Sequence, residues 1–271
     1  MSAPGSGELR AEEVTVRFGG LVAVAGVSLT VAEGGFVGLI GPNGAGKTTL
    51  FNVVNGFEAP TSGRVHYRDL EITSLPSWKR ARLGMGRTFQ KLELFGRMTV
   101  FDNLLAAAEA GSSRLGVAAD LLHLPKRHRE EDRCAAIADG VIDRLGLDWV
   151  RDRRAGELPV GTARIVELGR ALAGGGRLLL LDEPSSGLDS EETRRFGSLL
   201  TELNRDNGIG ILLVEHDMDL VLEVCREVYV LDFGRLIAQG PPKGLGDDPA
   251  VRAAYLGEEE DGASAAPAAR G

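Results

Sequence analysis

The chain has little of what disulfide-linked, zinc-binding and membrane-spanning proteins need. Its only two cysteines, Cys134 and Cys225, lie far apart with no CxxC pair or histidine cluster beside them, so neither a disulfide framework nor a zinc site is indicated. The longest apolar runs, such as 178–181 and 211–214, fall far below the roughly 18 residues of a membrane-spanning helix. We expect both cysteines to be core thiols in a reducing compartment, and any membrane spans to come from another chain.

An excess of positive charge is also missing. Of 271 residues, 31 are Lys or Arg and 39 are Asp or Glu, which gives a formal net charge of −8. A protein that binds the phosphate backbone of nucleic acid needs a basic face, so we expect no nucleic acid partner. The first eight residues have neither a basic start nor an apolar stretch, and they predict no signal peptide or membrane anchor.

A glycine-rich segment follows the short apolar run 36–40 and precedes another apolar stretch. It matches GxxxxGK[ST] and consists of Gly41, Pro42, Asn43, Gly44, Ala45, Gly46, Lys47, Thr48 and Thr49. Glycines let backbone N–H groups surround an anion, while the lysine reaches the β- and γ-phosphates and the Thr48 hydroxyl can ligate Mg²⁺. The alternative is a flexible glycine loop, which would not require the apolar runs on both sides. The sequence therefore predicts a nucleotide phosphate site.

The periodicity of apolar residues changes twice along the chain. Up to about residue 70 it predicts four strands, at 14–18, 27–31, 36–40 and 64–67. From 97 to 158 it predicts helices, with one apolar stripe formed by Cys134, Ile137, Val141 and Leu145. After 175, strands at 178–181 and 209–214 alternate with helices at 191–204 and 218–224, which indicates parallel strands joined by right-handed crossovers.

Two carboxylates end the buried strand at 178–181. Asp182 is placed to hold Mg²⁺, directly or through water, and Glu183 could polarise an attacking water. These side chains would lie beside the phosphates, because ligands of open α/β sheets bind at strand ends. The alternative is an acidic cap on a strand-to-turn junction.

Further motifs follow in an order that resembles the ATP-binding cassette of ABC transporters. They are 88–90 (TFQ), 158–162 (LPVGT), 182–189 (DEPSSGLD) and 214–217 (VEHD). The resemblance covers about residues 9 to 257. It implies an α/β P-loop NTPase cassette with a RecA-like mixed or parallel sheet core, an N-terminal antiparallel β subdomain and an inserted helical subdomain. The implied core comprises 9–96 and 159–247, the helical subdomain 97–158 and a C-terminal helix 248–257, between a flexible 1–8 and a disordered 258–271.

The same resemblance implies roles for single residues. Phe18 would stack on adenine, and Gln90 would contact Mg²⁺ and water and sense the membrane partner. Glu183 would be the general base, His216 would contact the γ-phosphate, and Asp189 would face a second subunit. A lone aromatic or histidine is more often structural, so these assignments depend on the order of the motifs.

The signature segment departs from the usual Leu-Ser-Gly-Gly-Gln of the family. It consists of Leu158, Pro159, Val160, Gly161 and Thr162. In the family, the signature of one subunit caps the γ-phosphate held by the other. A helix predicted from about 162 to 173 would still present its positive N-terminus. Loss of the Ser hydroxyl removes one hydrogen bond, worth on the order of 1 kcal/mol. Val160 and Thr162 also alter the signature, so unequal ATP sites or a catalytically weak subunit remain alternatives.

Several features resemble the branched-chain amino acid importer branch of the family. They are the phosphate-loop context 38–52, the stretch 86–90, Leu158-Pro159, an insertion at 111–133 and the segment 248–257. This branch implies ATP and Mg²⁺, a second ATPase subunit arranged head to tail, two permease subunits and an extracytoplasmic binding protein. It places the chain in the cytoplasm, on the inner face of the membrane. Alternatives are a lipopolysaccharide or lipid exporter ATPase, a urea or amide importer ATPase and a soluble non-transport cassette. A GTPase is disfavoured because no Asn-Lys-x-Asp motif is present.

Overall fold

The computed structural model describes residues 8–88, 90–112, 126–245 and 248–255. The predicted flexible N-terminus up to residue 7, Phe89 of the TFQ motif, most of the 111–133 insertion and the predicted disordered tail lie outside the described residues. The chain divides into two compact units, and each is described by itself. The first unit contains residues 1–74 and 212–271, and the second contains 75–211.

The strands are short except for the first two. In chain order they are β1 (Leu9–Phe18), β2 (Leu21–Val31), β3 (Phe36–Ile40), β4 (Ser62–Tyr67), β5 (Leu70–Glu71), β6 (Met85–Arg87), β7 (Leu178–Asp182), β8 (Gly210–Val214), β9 (Glu227–Asp232) and β10 (Arg235–Gly240).

The helices cluster in the second half of the chain. They are α1 (Lys47–Asn55), α2 (Ser77–Arg82), α3 (Val100–Ser112), α4 (Lys126–Leu145), α5 (Val160–Ala173), α6 (Ser190–Asn207), α7 (Met218–Val224), the kinked turn α8 (Pro242–Leu245) and α9 (249–255). Short 3₁₀ turns occupy Asp148–Val150 and Ala155–Glu157. Within the described ranges, no helix combines the length and apolarity that crossing a membrane would require.

The first unit contains an antiparallel sheet in the order β2-β1-β4-β5. In the centre of this sheet, Leu9 lies opposite both Val31 and Tyr67, and all three side chains are buried. The same unit pairs β3 in parallel with β9, which pairs antiparallel with β10. Every residue of β3 is buried, as expected for a strand covered on both faces. The phosphate loop therefore starts from a fixed strand.

The second unit pairs β6 in parallel with β7 and packs α3, α4 and α5 against one another. The apolar stripe predicted for the helical region is present on α4, where Cys134, Val141 and Leu145 are buried and Ile137 is half-buried. Helix α5 begins at Val160, two residues before the start predicted for it. The described helices at 97–158 and the strand–helix alternation after 175 agree with the sequence-based prediction.

Candidate nucleotide site

In the first unit, the phosphate loop joins the end of β3 to the start of α1. Gly46 is the N-cap of α1 and has a left-handed backbone, with φ of 97°. A Cβ atom at this position would lie 2.5 Å from the carbonyl oxygen of Ala23, so only glycine fits without movement. The β9–β10 turn holds the other side of the loop, because the N–H of Gly234 donates to the carbonyl of Ala45 at 2.9 Å. The loop is thus held in shape by its neighbours.

The lysine of the loop points back over its own backbone. Lys47 is 7% exposed, and its Nζ donates to the carbonyl oxygens of Gly41 at 2.6 Å and Pro42 at 2.9 Å. The ammonium therefore lies within the turn that the glycine-rich segment forms. Thr48, the next residue on α1, is exposed. A cation within the loop, the N-terminus of α1 and an accessible hydroxyl are the groups that bind a phosphate chain and its metal ion.

Two other predicted residues belong to the first unit. Phe18 ends β1 and is 49% exposed, so its ring is available for stacking. His216 follows β8 with a side chain that is 64% exposed. The turn around His216 depends on a carboxylate that sequence reasoning missed: Glu215 is fully buried and accepts the N–H groups of His216 at 3.1 Å and Asp217 at 3.5 Å. The acidic residue directly before the histidine in the sequence could have indicated this role of Glu215.

In the second unit, Asp182 ends β7 and is only 6% exposed. Arg87 on β6 forms an ion pair with it, with Nη2 of Arg87 3.8 Å from Oδ2 of Asp182. Burial lowers the pKa of Arg87, while the charges of Asp182 and Glu93 oppose that shift. Asp182 thus presents a carboxylate at a strand end in a site of reduced solvent exposure.

Glu183, the next residue, has a strained backbone. Its φ is 45°, in the left-handed region that side chains with a Cβ rarely adopt. The side-chain amide of Gln90 donates to Oε2 of Glu183 at 2.8 Å. The structure therefore brings together two residues that sequence analysis had assigned separate contacts. It also adds Arg164, which sequence analysis missed and which donates to the backbone oxygens of Gln90 and Ser186.

The signature segment forms the start of α5. Leu158 and Thr162 are half-buried, Pro159 and Val160 are exposed, and Gly161 is buried. Pro159 is the N-cap and makes no side-chain hydrogen bond to the helix. The first N–H groups of α5 therefore have no side-chain cap from Pro159, and a helix N-terminus of this kind can accept an anion.

Asp189 is the N-cap of α6. Its Oδ1 accepts the N–H groups of Glu191 at 2.9 Å and Glu192 at 2.8 Å, and the Glu192 carboxylate accepts the N–H of Asp189 at 3.1 Å. This reciprocal pair is a capping box. Asp189, which is expected to face a second subunit, thus also caps a helix of its own chain.

Two of the candidate metal ligands offer oxygen atoms of the kinds that Mg²⁺ accepts. Among the described residues, no group of three or more His, Cys, Asp or Glu side chains is arranged to hold a metal ion. Mg²⁺ is commonly bound through one or two carboxylates together with hydroxyl and substrate phosphate oxygens. Thr48 in the first unit offers a hydroxyl oxygen, and Asp182 in the second unit offers a carboxylate oxygen.

Comparison with known proteins supports the resemblance drawn from the motifs. The sequence model of the ABC transporter family matches residues 24–186, and that of the branched-chain amino acid ATP-binding cassette transporter family matches residues 235–261. The second match includes the described part of the predicted C-terminal helix, α9.

Curated relatives cover nearly the whole chain. The high-affinity branched-chain amino acid transport ATP-binding protein LivG of Salmonella typhimurium is 41% identical over 243 residues, which are 90% of this chain and 95% of LivG. BraF of Pseudomonas aeruginosa, with the same description, is 40% identical over 250 residues, 92% of this chain and 98% of BraF. The lipopolysaccharide export ATP-binding protein LptB of Haemophilus influenzae is 36% identical over 251 residues, 93% of this chain and 98% of LptB.

Solved structures agree with the sequence relatives. The ADP conformation of an ATP-binding cassette from an ABC transporter superposes with a TM-score of 0.80 at 34% identity, covering 92% of this chain and 98% of that one. A nucleotide-free cassette gives a TM-score of 0.78 at 33% identity, with 91% and 98% covered. The predicted α/β P-loop NTPase fold, with one antiparallel and one mixed sheet, is confirmed. The chain belongs to the ABC transporter family, as an ATP-binding and ATP-hydrolysing cassette subunit of such a transporter.

Proposed function

We propose that the chain powers the import of branched-chain or other hydrophobic amino acids. The observation that carries this proposal is the match of residues 235–261 to the branched-chain amino acid cassette family, outside the region that the general ABC transporter model matches. The identity to LivG, 41%, also exceeds the 36% identity to LptB. Export of lipopolysaccharide or another lipid is the alternative, because the chain is also 36% identical to LptB.

The proposed assembly contains two cassettes arranged head to tail, two permease subunits and an extracytoplasmic binding protein, on the inner face of the cell membrane. A groove in the second unit supports docking of a permease segment. Its volume is about 490 Å³, and it is lined by residues of α2, β6, α3 and α5 together with Glu93. Exposed Trp78 and the arginines Arg82 and Arg170 offer aromatic and cationic contacts to a docked segment. Arg87, which also lines the groove, forms an ion pair with Asp182.

In the proposed ATP complex, the first unit binds the nucleotide. Lys47 exchanges its two carbonyl partners for phosphate oxygens, which is favourable because ammonium–phosphate hydrogen bonds are stronger than neutral ones. The Phe18 ring stacks on adenine, and His216 donates a hydrogen bond to the terminal phosphate. Thr48, Asp182 and Gln90 are the proposed ligands of Mg²⁺, which when bound neutralises charge on the β- and γ-phosphates.

The second unit supplies the proposed general base. Glu183 accepts a proton from the attacking water while the hydrogen bond from Gln90 fixes the direction of its carboxylate. The N-terminus of α5 and the signature residues 158–162 cap the terminal phosphate bound by the partner cassette. Asp189 caps α6 and thereby positions the turn that would face the same partner.

The experiment is transport and ATP turnover in vesicles that contain the full chain, a partner cassette, permease subunits and the binding protein. We expect leucine with the binding protein to stimulate ATP turnover and to be imported. Glu183→Gln should bind ATP normally and lower turnover about 100-fold or more, because general base catalysis contributes roughly 10²–10⁴-fold. Stimulation by lipopolysaccharide without leucine import would replace the amino acid proposal, and normal turnover of Glu183→Gln would refute the role of Glu183.

A further inference from the structure

Arg164 is a buried charge on α5 that no motif accounts for. Its side chain is 4% exposed, and its Nη1 lies 3.1 Å from Oε2 of Glu167, which is equally buried. An ion pair at this depth gains little net stability, since desolvation of both charges offsets most of their attraction. The contacts made by the other end of the guanidinium therefore need their own explanation.

Those contacts reach both chain segments that border Glu183. Nη2 of Arg164 donates to the carbonyl oxygen of Gln90 at 2.7 Å and to that of Ser186 at 3.3 Å. Gln90 in turn donates from its side chain to the Glu183 carboxylate at 2.8 Å. The N–H of Ser186 donates to the carbonyl of Glu183 at 3.1 Å. One guanidinium thus holds the residue that orients the Glu183 side chain and the turn that follows its backbone.

The backbone of Glu183 is the part of the site that most needs such support. A non-glycine residue with φ of 45° is strained and persists only where its surroundings fix it. Arginine suits this task, because its planar fork offers several donors at once in a fixed arrangement. Lysine, with a single ammonium group, cannot reproduce that arrangement.

We infer that Arg164 is a positioning residue for ATP hydrolysis, which holds Gln90 and the 183–186 turn so that the Glu183 carboxylate is correctly placed. The inference rests on the proposed function, in which Glu183 is the base. Arg164 lies in the second turn of α5, the helix that begins with the signature. It therefore links the segment proposed to face the partner's ATP to Glu183, the proposed general base of its own chain. Movement of α5 would then change the placement of Glu183 directly.

The test is ATP turnover of the full chain in the assembled transporter, with Arg164→Gln and Arg164→Lys. Arg164→Gln should lower kcat about 10- to 100-fold, as expected for a misplaced catalytic group, with KM for ATP changed less than about twofold. Arg164→Lys should fall between this variant and the wild type. Arg195→Gln, which removes an arginine that is 76% exposed on α6, is the matched control and should keep wild-type kcat.

A double-mutant cycle separates positioning from a purely structural role. If Arg164 acts through Gln90, then Arg164→Gln should lower kcat less than about threefold further in a Gln90→Ala background, because the two residues share one interaction. Independent, fully multiplicative losses would refute the coupling of Arg164 to Glu183 through Gln90. A rise in KM with kcat unchanged would overturn the inference.

A second variant deals with the charge that Arg164→Gln leaves buried. The double substitution Arg164→Gln, Glu167→Gln removes both members of the ion pair, so it should fold with a Tm near that of the wild type and still show the loss of kcat. Recovery of wild-type kcat in this variant would show that the unpaired Glu167 caused the loss, and would refute positioning. A wild-type transporter that does not hydrolyse ATP would contradict the proposed function instead.

Discussion

Two glycines of the phosphate loop allow the conformation of the loop to be tested apart from its chemistry. Gly46 and Gly44 both have positive φ, 97° and 78°. They differ in their surroundings. A Cβ atom at position 46 would lie 2.5 Å from the Ala23 carbonyl oxygen, whereas one at position 44 would meet no heavy atom of the described residues within 4 Å. Substitution by alanine therefore adds backbone strain at both positions and steric overlap only at Gly46.

The magnitudes follow from these contacts. A left-handed backbone costs an L-residue roughly 1–2 kcal/mol, and alanine regains about 0.4–1 kcal/mol by restricting the unfolded chain. Gly44→Ala should thus lower the free energy of unfolding by about 1 kcal/mol. Overlap with a backbone atom adds about 1–3 kcal/mol, so Gly46→Ala should lower it by about 2–4 kcal/mol.

Urea unfolding without nucleotide measures this difference, and ATP affinity measured by calorimetry gives a second readout. Gly46→Ala should also weaken ATP binding, because the N-cap that directs the first N–H groups of α1 must move. Gly44→Ala should bind ATP more tightly than Gly46→Ala does. Equal losses of stability in the two variants would refute the packing argument, since backbone strain alone would then explain both.

Two further predictions concern single side chains. Asp189→Ala should lower the free energy of unfolding by about 1 kcal/mol through loss of the α6 cap, while Asp189→Asn keeps the cap and should stay near wild type; equal urea midpoints for the two would contradict the capping role. Burial raises the pKa of Cys225 from 9.0 to about 12, so the folded chain retains this thiol proton after the unfolded chain has lost it, and stability should fall as the pH rises from 9 towards 12. A pH series of urea unfolding should show less of this fall in Cys225→Ala, and identical pH profiles would refute the assignment.

Much of the fold could be predicted because local pattern and tertiary environment agree. The helix predicted at 218–224 has those bounds in the structure, and the strand at 36–40 is buried throughout. The first strand was predicted to start at residue 14 but begins at Leu9. Glu13, with φ of 49°, lies where the pairing register shifts, and such an irregularity interrupts the alternation from which a strand is predicted.

In the site, too, residues that belong to a local motif could be predicted, whereas contacts between residues far apart in the sequence could not. The order of the motifs along the chain indicates which residues do the chemistry, so Lys47, Asp182 and Glu183 could be selected from the sequence. Their partners could not, because Gln90 is 93 residues from Glu183 and Arg164 is 74 residues from Gln90. The start of α5 was placed two residues late because Val160 and Gly161 have weak helix propensity, whereas Pro159 as N-cap allows the helix to begin directly after it.

These contacts also bear on whether the altered signature makes a weak cassette. Replacing the usual serine by Pro159 removes one hydroxyl, worth about 1 kcal/mol or roughly a fivefold effect, and Pro159 itself makes no side-chain hydrogen bond to the start of α5. Loss of a general base costs about 100-fold or more. If Glu183, which accepts a hydrogen bond from Gln90, is the base as proposed, then a partner cassette that lacks its base would cause a larger inequality between the two ATP sites than the serine-to-proline change at Pro159 alone.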